Sequence, residues 1–313
     1  MRVLVTGAFG FIGTAVVSRL ARAGHEVVAL THRPLEAPVA ASPVSQIIRA
    51  DIRDAQAIRV AVSRVDAVCH LAALTRVHES FERPTEYWHV NAVGTRIVVD
   101  ALAAKAAGCG QPGRFVQAST HAVYGAPRSQ PITEATPLAP ISPYGRSKAD
   151  AEAAVAAASK TGALGAVCLR TFNAAGAMAG RTDMDQSRII PRTLAVAAGR
   201  VASLEINGDG RAIRDFVHVE DLASAYLLAL AACRPGACAF YNVGGTEASV
   251  LDVVTVGERI TGRSIPVRHN PPKSEPKVIV ADRTRISREL SWAPRRSSLS
   301  QIIGDAWEVF QRL

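Results

Sequence analysis

The chain has 313 residues, a formal net charge of +9 and a pI of about 9.7. This length can bury a large core, either as one α/β unit or as a main domain with a smaller lobe. Basic residues are dispersed and aromatic residues make up only 5% of the chain, so the composition argues against a nucleic-acid-binding protein. We interpret the basic surface as attractive to an anionic small substrate.

The first residues lack the basic segment and long apolar run of a signal peptide. No apolar stretch approaches the roughly 20 residues that span a bilayer. The five cysteines form an odd set without CxxC spacing. These features predict a cytoplasmic, reduced protein with no membrane partner and no metal site.

The first half of the chain alternates short β-rich runs with helical patterns, which predicts an α/β, Rossmann-type, doubly wound parallel sheet. Predicted strands cover residues 2–5, 26–30, 46–49, 67–71, 115–118 and 166–170. The main predicted helices cover residues 85–107 and 143–159. Further on we expect a long loop at 173–188, a helix to 199, a strand at 204–206 and a helix at 219–232.

We expect a dinucleotide-binding domain formed by residues 1–172 together with about 211–245. A smaller, interleaved α/β substrate lobe would comprise residues 173–210 and 246–313. Loops as long as the one expected at 173–188 usually carry function in compact enzymes.

A glycine-rich turn joins the first predicted strand to the first predicted helix. Gly7 permits a tight turn, Gly10 lets the backbone approach a ligand closely, and Gly13 lets the helix pack closely on the strand. Backbone N–H groups and the helix N-terminus then face a pyrophosphate. The arrangement predicts a dinucleotide site.

A tyrosine and a lysine lie four residues apart at the start of the predicted helix 143–159. Tyr144 and Lys148 therefore share one helix face. A nearby ammonium favours the phenolate, so we expect Lys148 to lower the pKa of Tyr144. Ser119 and Thr120 follow a predicted strand at the sheet edge where active sites lie, and a hydroxyl there can share the tyrosine proton.

With these motifs, the chain resembles an extended short-chain dehydrogenase/reductase, and within that superfamily the UDP-galactose 4-epimerase group. The matching stretches span nearly the whole chain and include VTGAFGFIG, ADIRD, HLAAL, NAVGT, STHAVYG, SPYGRSK, LRTFNAAGA, GDGRAIRDFVHVEDLA and YNVGG. Several of them, RDFVHVEDLA above all, belong to the nucleotide-sugar branch.

The resemblance implies three groups of site residues. The catalytic group is Thr120, Tyr144 and Lys148. The NAD(P)-binding group is Gly7, Gly10, Phe11, Ile12, Gly13, Asp51, Ile52, Leu71, Ala72, Ala73, Asn91, Tyr144 and Lys148. The nucleotide-sugar-binding group is Thr75, Thr120, His121, Tyr144, Asn173, Arg214 and Lys273. The resemblance also implies a homodimer, with the helices at 85–107 and 143–159 forming a four-helix contact, whereas Asp215 and His218 would organise the substrate lobe.

The end of the second strand departs from the family pattern. NAD users usually place an Asp near position 31, but this chain has Thr31, His32 and Arg33. A basic pair without a carboxylate would accept a 2′-phosphate. We therefore add these three residues to the predicted cofactor site and favour NADP over NAD.

Two further departures concern the substrate. Sugar-nucleotide 4,6-dehydratases carry an Asp-Glu pair after the Thr, and this chain has His121-Ala122, which argues against dehydration. The arginine with which epimerases clamp the diphosphate is replaced by a proline-rich run. Lys273 could substitute there as a point charge but could not make a bidentate contact.

The leading hypothesis is a nucleotide-sugar 4-epimerase that oxidises C4 transiently and returns the hydride to the other face. The alternative is an NADPH-dependent 4-ketoreductase of a nucleotide-linked deoxysugar or another keto-nucleotide. The NADP-like strand end and the missing clamp arginine favour that alternative. A third hypothesis is a non-catalytic NAD(P)-binding regulatory protein, but the presence of Thr120, Tyr144 and Lys148 argues against it.

Overall fold

The computed structural model describes residues 1–32, 43–272 and 276–313. Its strands are β1 (Arg2–Thr6), β2 (Glu26–Thr31), β3 (Gln46–Arg49), β4 (Ala67–His70), β5 (Gly113–Thr120), β6 (Leu164–Thr171), β7 (Asn173–Ala175), β8 (Ala177–Met178), β9 (Arg181–Thr182), β10 (Leu204–Asn207), β11 (Ile213–His218), β12 (Cys238–Val243), β13 (Thr246–Ser249), β14 (Val267–Asn270) and β15 (Val278–Ile279). Its α-helices are α1 (Phe11–Arg22), α2 (Ala55–Val62), α3 (Val77–Glu82), α4 (Pro84–Trp88), α5 (Gly94–Cys109), α6 (Pro143–Ser159), α7 (Ile189–Ala197), α8 (Val219–Ala232), α9 (Val250–Thr261), α10 (Thr284–Leu290) and α11 (Leu299–Phe310).

The central sheet has seven parallel strands in the order β12-β6-β5-β4-β1-β2-β3. The chain winds outward from β1 through β2 to β3, returns to β4, and then winds the other way. The winding reverses between β1 and β4, which is the point where doubly wound sheets form a ligand-binding crevice beyond the carboxyl ends of their strands. The predicted doubly wound α/β fold is confirmed.

Helices cover both faces of this sheet. On one face α1 and α8 enclose a core that includes Val5, Leu20 and Ala225. On the other face α2, α5 and α6 enclose a core that includes Phe115 and Val155. Because both faces are covered, β4 and β6 are buried along their whole length rather than at alternate residues.

Two predicted elements differ from the structure. The predicted helix at 85–107 is interrupted by a π-helical turn over His89–Val93, between α4 and α5. The predicted loop at 173–188 is wrong, since it contains β7, β8 and β9. β7 has three residues and pairs with β11 more than 40 residues away, so the local sequence carries no signal for it.

The strands and helices after β6, apart from α8 and β12, form a smaller group of elements that we call the second layer. β11 pairs with β7, β13 and β15, while β10 pairs with β14. Helices α7, α9 and α11 pack together against this part of the chain around Leu194, Val253 and Ile303. β12 then returns to the edge of the central sheet beside β6. The predicted domain boundaries remain a prediction.

Within the three described ranges, no helix combines the length and apolar character needed to cross a membrane. The same residues contain no group of three or more His, Cys, Asp or Glu side chains placed to hold a metal ion.

Candidate active site

The glycine-rich turn has the geometry that the sequence predicts. Gly7 adopts φ +66°, and the Gly10 amide donates to the Gly7 carbonyl at 3.0 Å. A Cβ on Gly7 would lie 2.9 Å from the Ala72 amide nitrogen, and a Cβ on Gly13 would lie 2.0 Å from the Gly7 oxygen. Side chains are thus excluded from the places where strand, turn and helix approach each other.

The start of α1 suits an anionic ligand. Gly10 is the N-cap residue and makes no side-chain cap, and the first turn of α1 contains no acidic residue. The free amides and the positive end of the helix dipole are therefore available to a phosphate group. The donor set and the glycine cradle both fit the pyrophosphate of NAD(P).

Several predicted cofactor-binding residues lie at the end of β2 or just after β3. Asp51 pairs with Arg53 at 2.6 Å, and this hydrogen-bonded partner lowers the pKa of the Asp51 carboxyl, with a smaller contribution from His32. Ile52 is buried and packs against Gly94. A Cβ on Gly94 would lie 2.7 Å from the Cδ1 atom of Ile52. Thr31 ends β2. Arg33 lies outside the described residues.

The loop after β4 is fixed by buried side chains. The Thr6 hydroxyl accepts from the amides of Leu71 and Ala72, each at 3.1 Å. Asn91, in the π-helical turn, accepts from the Leu74 amide at 2.9 Å and donates to the Leu74 carbonyl at 3.0 Å. Its amide also lies 3.0 Å from the Ser147 hydroxyl, so it braces the loop against α6.

Other predicted residues lie on the same loop and around the turn. Ala73 is partly buried and Thr75 is exposed. Phe11 and Ile12 begin α1 and pack partly against the core beneath it. The contacts of these residues with the cofactor and the substrate remain predictions.

The structure brings Thr120, Tyr144 and Lys148 together. Thr120 ends β5 at the carboxyl edge of the sheet, and Tyr144 and Lys148 lie on successive turns of α6. Helix α6 begins close to the turn after β5, since a Cβ on Gly145 would lie only 2.5 Å from the Ala122 oxygen. Glycine at this position permits the close approach. Strand and helix thus deliver the three side chains to one side of the crevice.

The predicted lowering of the Tyr144 pKa is wrong for this structure. Tyr144 is buried, and burial raises the pKa of its phenol. The side-chain hydrogen bond with Thr120 and the positive charge of Arg188 oppose that effect but do not reverse it. Burial likewise lowers the pKa of Lys148 to about 8, although Glu152 raises it.

Three predicted substrate residues lie near the ends of β5, β7 and β11. The His121 ring stacks on Phe172 at 5.1 Å, and burial lowers its pKa to about 4, so it is neutral near pH 7. The Asn173 amide donates to the Asp215 carbonyl at 2.8 Å. Arg214 donates to the Pro276 carbonyl at 3.0 Å and is close enough to His121 to lower its pKa further. Lys273 lies outside the described residues.

Asp215 and His218 hold the second layer together. Asp215 accepts from the amides of Gly245 at 2.5 Å and Ala281 at 3.1 Å. His218 caps α8 by accepting from the Glu220 amide at 3.1 Å. Both side chains are buried, in agreement with the organising roles expected for them.

Sequence reasoning missed residues that surround the reactive tyrosine. The Tyr87 ring meets Tyr144 edge-on at 6.4 Å, and its hydroxyl bonds both main-chain groups of Arg76. Arg188, held by Asp183 at 2.9 Å, is close enough to Tyr144 to lower its pKa. These residues lie far from Tyr144 in sequence and follow no motif spacing, so no local signal identified them.

The glycine turn at the first strand and the Thr–Tyr–Lys group beside it define an NAD(P)-dependent enzyme of the extended short-chain dehydrogenase/reductase class. The model of the NAD dependent epimerase/dehydratase family matches residues 3–244. The chain belongs to this family, and the predicted resemblance is confirmed.

Curated relatives and solved structures agree with that assignment. A UDP-glucose 4-epimerase of Streptomyces lividans is 38% identical over 318 residues, which cover 97% of this chain and 94% of the relative. The structure of UDP-glucose 4-epimerase from Brucella ovis in complex with NAD has a TM-score of 0.91 at 32% identity, and the match covers 99% of this chain and 98% of the Brucella chain. UDP-glucose-4-epimerase from Stenotrophomonas maltophila, with bound NAD and formylated UDP-arabinopyranose, has a TM-score of 0.89 at 31% identity, covering 100% and 98%.

Proposed function

We propose that this chain is a nucleotide-sugar 4-epimerase that interconverts UDP-glucose and UDP-galactose. The observation that carries the proposal is the meeting of Thr120, Tyr144 and Lys148 beside a glycine cradle suited to a dinucleotide. The close relatives are named for 4-epimerisation, and they align over nearly the full length of the chain.

Each member of the catalytic group has a distinct role in this proposal. Tyr144 removes the proton from the sugar O4 and later returns it. Thr120 shares that proton through its hydrogen bond with Tyr144. Lys148 anchors the cofactor ribose from the next turn of α6, while Thr120 and Arg188 favour the phenolate against the effect of burial. A nicotinamide cofactor bound at the glycine turn would supply the acceptor and donor of the C4 hydride.

The remaining predicted residues would bind the two ligands. We propose that Gly7, Gly10 and Gly13 hold the cofactor pyrophosphate, and that Asn173 and Arg214 hold the substrate diphosphate. A guanidinium fork matches a diphosphate well. Arg188 adds a second guanidinium near Tyr144.

We propose NAD as the cofactor rather than the NADP that the strand end suggested. Both similar structures carry NAD, which supports NAD and gives no support to the NADP preference. His32 interacts electrostatically with Asp51, so this histidine already has an acidic neighbour. With NAD, the argument that favoured a ketoreductase loses its main basis.

A homodimer built on α5 and α6 also remains part of the proposal. The outer faces of both helices expose small side chains, among them Ala104, Ala107, Ala153 and Ala157. Small residues let two helix pairs approach closely. Light scattering on the purified protein tests this: Ala157→Glu should dissociate the dimer, whereas the same charge at the exposed Val60 of α2 should leave it intact.

Two structural features bear on the other predictions about the whole chain. The return of β12 to the central sheet supports assigning residues near 238–243 to the cofactor domain. All five cysteines are free thiols, which supports the proposal of a reducing, cytoplasmic location.

The test is to purify the protein, identify the nucleotide that copurifies, and assay UDP-glucose without added cofactor. We expect bound NAD and a mixture of UDP-glucose and UDP-galactose with no net change in absorbance at the NADH wavelength. Stoichiometric consumption of added NADPH on a keto-nucleotide, without epimerisation, would overturn the proposal in favour of the ketoreductase.

A further inference from the structure

A buried ion pair lies directly behind the catalytic group. Glu152 is on α6, one helical turn beyond Lys148, and is only 2% exposed. Its carboxylate accepts from Arg170 Nε at 3.0 Å and from Arg170 Nη2 at 2.8 Å, a bidentate contact. It also accepts from the Ser119 hydroxyl at 2.6 Å.

The Arg170 guanidinium makes further contacts in the protein interior. Arg170 Nη1 donates to the Tyr124 hydroxyl at 2.8 Å, and the guanidinium lies against the rings of Tyr124 and Phe240. Glu152 raises the pKa of Arg170, so the guanidinium stays charged. A buried pair of this kind is often no more stabilising than apolar residues of similar size, so stability alone does not account for it.

The position of the pair suggests that role. Ser119 directly precedes Thr120 at the end of β5, and Glu152 lies on the helix that carries Tyr144 and Lys148. The Ser119–Glu152 hydrogen bond therefore joins the strand that supplies the hydroxyl to the helix that supplies the phenol and the ammonium. Arg170 extends the connection to β6.

We propose that Glu152 is a positioning residue for the 4-epimerase reaction, which places a fixed negative charge one turn from the Lys148 ammonium and locks Ser119, and so Thr120, against α6. This inference rests on the proposed function for its kinetic readout. Its electrostatic part concerns Lys148 itself and can be measured without turnover.

The surroundings of Lys148 show why such an anion matters. The titratable groups that interact electrostatically with Lys148 are Glu152 on its own helix, Cys168 on β6 and His70 on β4. Burial lowers the pKa of His70 to about 3, so it is neutral near pH 7, and burial keeps Cys168 a thiol. Glu152 is the strongest influence that raises the pKa of the buried ammonium.

The direct test is a pH titration of Lys148 by NMR with ¹³C-labelled lysine. The chain contains only five lysines, so the spectrum is sparse, and Lys148→Arg assigns the resonance. Glu152→Gln keeps a hydrogen-bond acceptor for Ser119 but removes the charge. We expect the Lys148 midpoint to fall by about one pH unit or more, as for a buried cation that loses a neighbouring anion.

The matched control is Asp221→Asn. Asp221 is also a buried carboxylate, accepting from the Arg296 amide at 2.8 Å and the Ser297 hydroxyl at 2.6 Å, but it lies on α8 away from Lys148. It should leave the Lys148 midpoint unchanged. An unchanged midpoint in Glu152→Gln as well would overturn the electrostatic part of the proposal.

A double variant separates positioning from simple structural support. Glu152→Gln/Arg170→Met removes both buried charges, so it should fold even if the single variant does not. We expect it to keep the lowered Lys148 midpoint, with the alkaline fall of kcat displaced to lower pH by the same amount. Recovery of the parental midpoint and pH profile would mean that Glu152 serves only to neutralise Arg170.

The Ser119 connection has its own test. Ser119→Ala should reduce kcat severalfold while leaving the Lys148 midpoint unchanged, because it removes the link to Thr120 and not the charge. An unchanged kcat would refute the link. If the parent protein epimerises no nucleotide sugar, the proposed function fails, whereas the NMR titration still decides whether Glu152 acts on Lys148.

Discussion

Substituting Gly13 with alanine tests how closely α1 must approach the turn. The new Cβ would lie 2.0 Å from the Gly7 oxygen and 2.9 Å from the carbonyl carbon of Ala8. Both contacts are with backbone, so no side-chain rotation relieves them. To restore the 3.4 Å of ordinary contact with the Gly7 oxygen, helix and turn must separate by about 1.4 Å.

Two energies of opposite sign then compete. Replacing glycine by alanine inside a helix gains about 1 kcal/mol of helix propensity, and overpacking against backbone costs about 3 kcal/mol or more. We expect Gly13→Ala to lower the free energy of unfolding by about 2 kcal/mol, which for a chain of this length lowers the melting temperature by about 3 °C. The displaced amides of α1 should weaken NAD binding at least tenfold, about 1.4 kcal/mol.

Gly304 provides the matched control, since it lies in α11 and a Cβ there would meet nothing within 4 Å. Gly304→Ala should gain up to about 1 kcal/mol of stability and leave NAD affinity unchanged. Thermal unfolding and fluorescence titration with NAD measure both effects. The reasoning is refuted if the two alanine variants behave alike in both assays.

Three further predictions concern the site and its surroundings. Tyr144→Phe should lower kcat by about 10²–10⁴-fold, as expected for a lost acid/base, with NAD still bound. Tyr87→Phe leaves the main-chain groups of Arg76 without their partner, so we expect a raised KM, a nearly unchanged kcat and about 1–2 kcal/mol less stability. Burial depresses the pKa of His70 to about 3. The stability that the neutral imidazole contributes to the folded state is therefore complete above pH 6.5 and is lost as the pH falls from there towards 3. The loss should be on the order of 3 kcal/mol at pH 4. His70→Asn should flatten the pH dependence of the free energy of unfolding, and the exposed His78→Asn should not.

Specific results would contradict each of these. Turnover by Tyr144→Phe at a tenth of the parental rate would assign the proton transfer to another group. A Tyr87→Phe enzyme with an unaltered KM would mean that the loop after β4 does not need this anchor. Equal acid sensitivity of the parent protein and His70→Asn in urea titrations at pH 7 and pH 4 would place the acid-labile groups elsewhere.

Local motifs explain why much of the site could be predicted. The glycine turn joins two adjacent elements, and Tyr144 and Lys148 share one helix, so spacing alone fixes their relation. Thr120 could be placed because the carboxyl ends of parallel strands meet at one edge of a sheet. In all three cases a short stretch of sequence determines the geometry.

The residues that were missed depend on contacts between distant segments. Glu152 meets Arg170 across two elements, and Arg188 reaches Tyr144 from the second layer. The pKa of Tyr144 depends on burial by the whole site, which the spacing of Tyr144 and Lys148 does not encode. The π-helical turn at His89–Val93 differs from an α-helix by one hydrogen-bond register, a change with no pattern of its own.

The late arrival of β12 in the central sheet has a consequence for folding. β6 is buried along its whole length, and one of its edges is covered only when residues 238–243 pair with it. During synthesis, therefore, the cofactor-binding half presents an unpaired, apolar strand edge until much of the second layer has already been made. The native sheet is completed by contacts of long sequence separation, which favours slow and cooperative folding of the two layers as one unit.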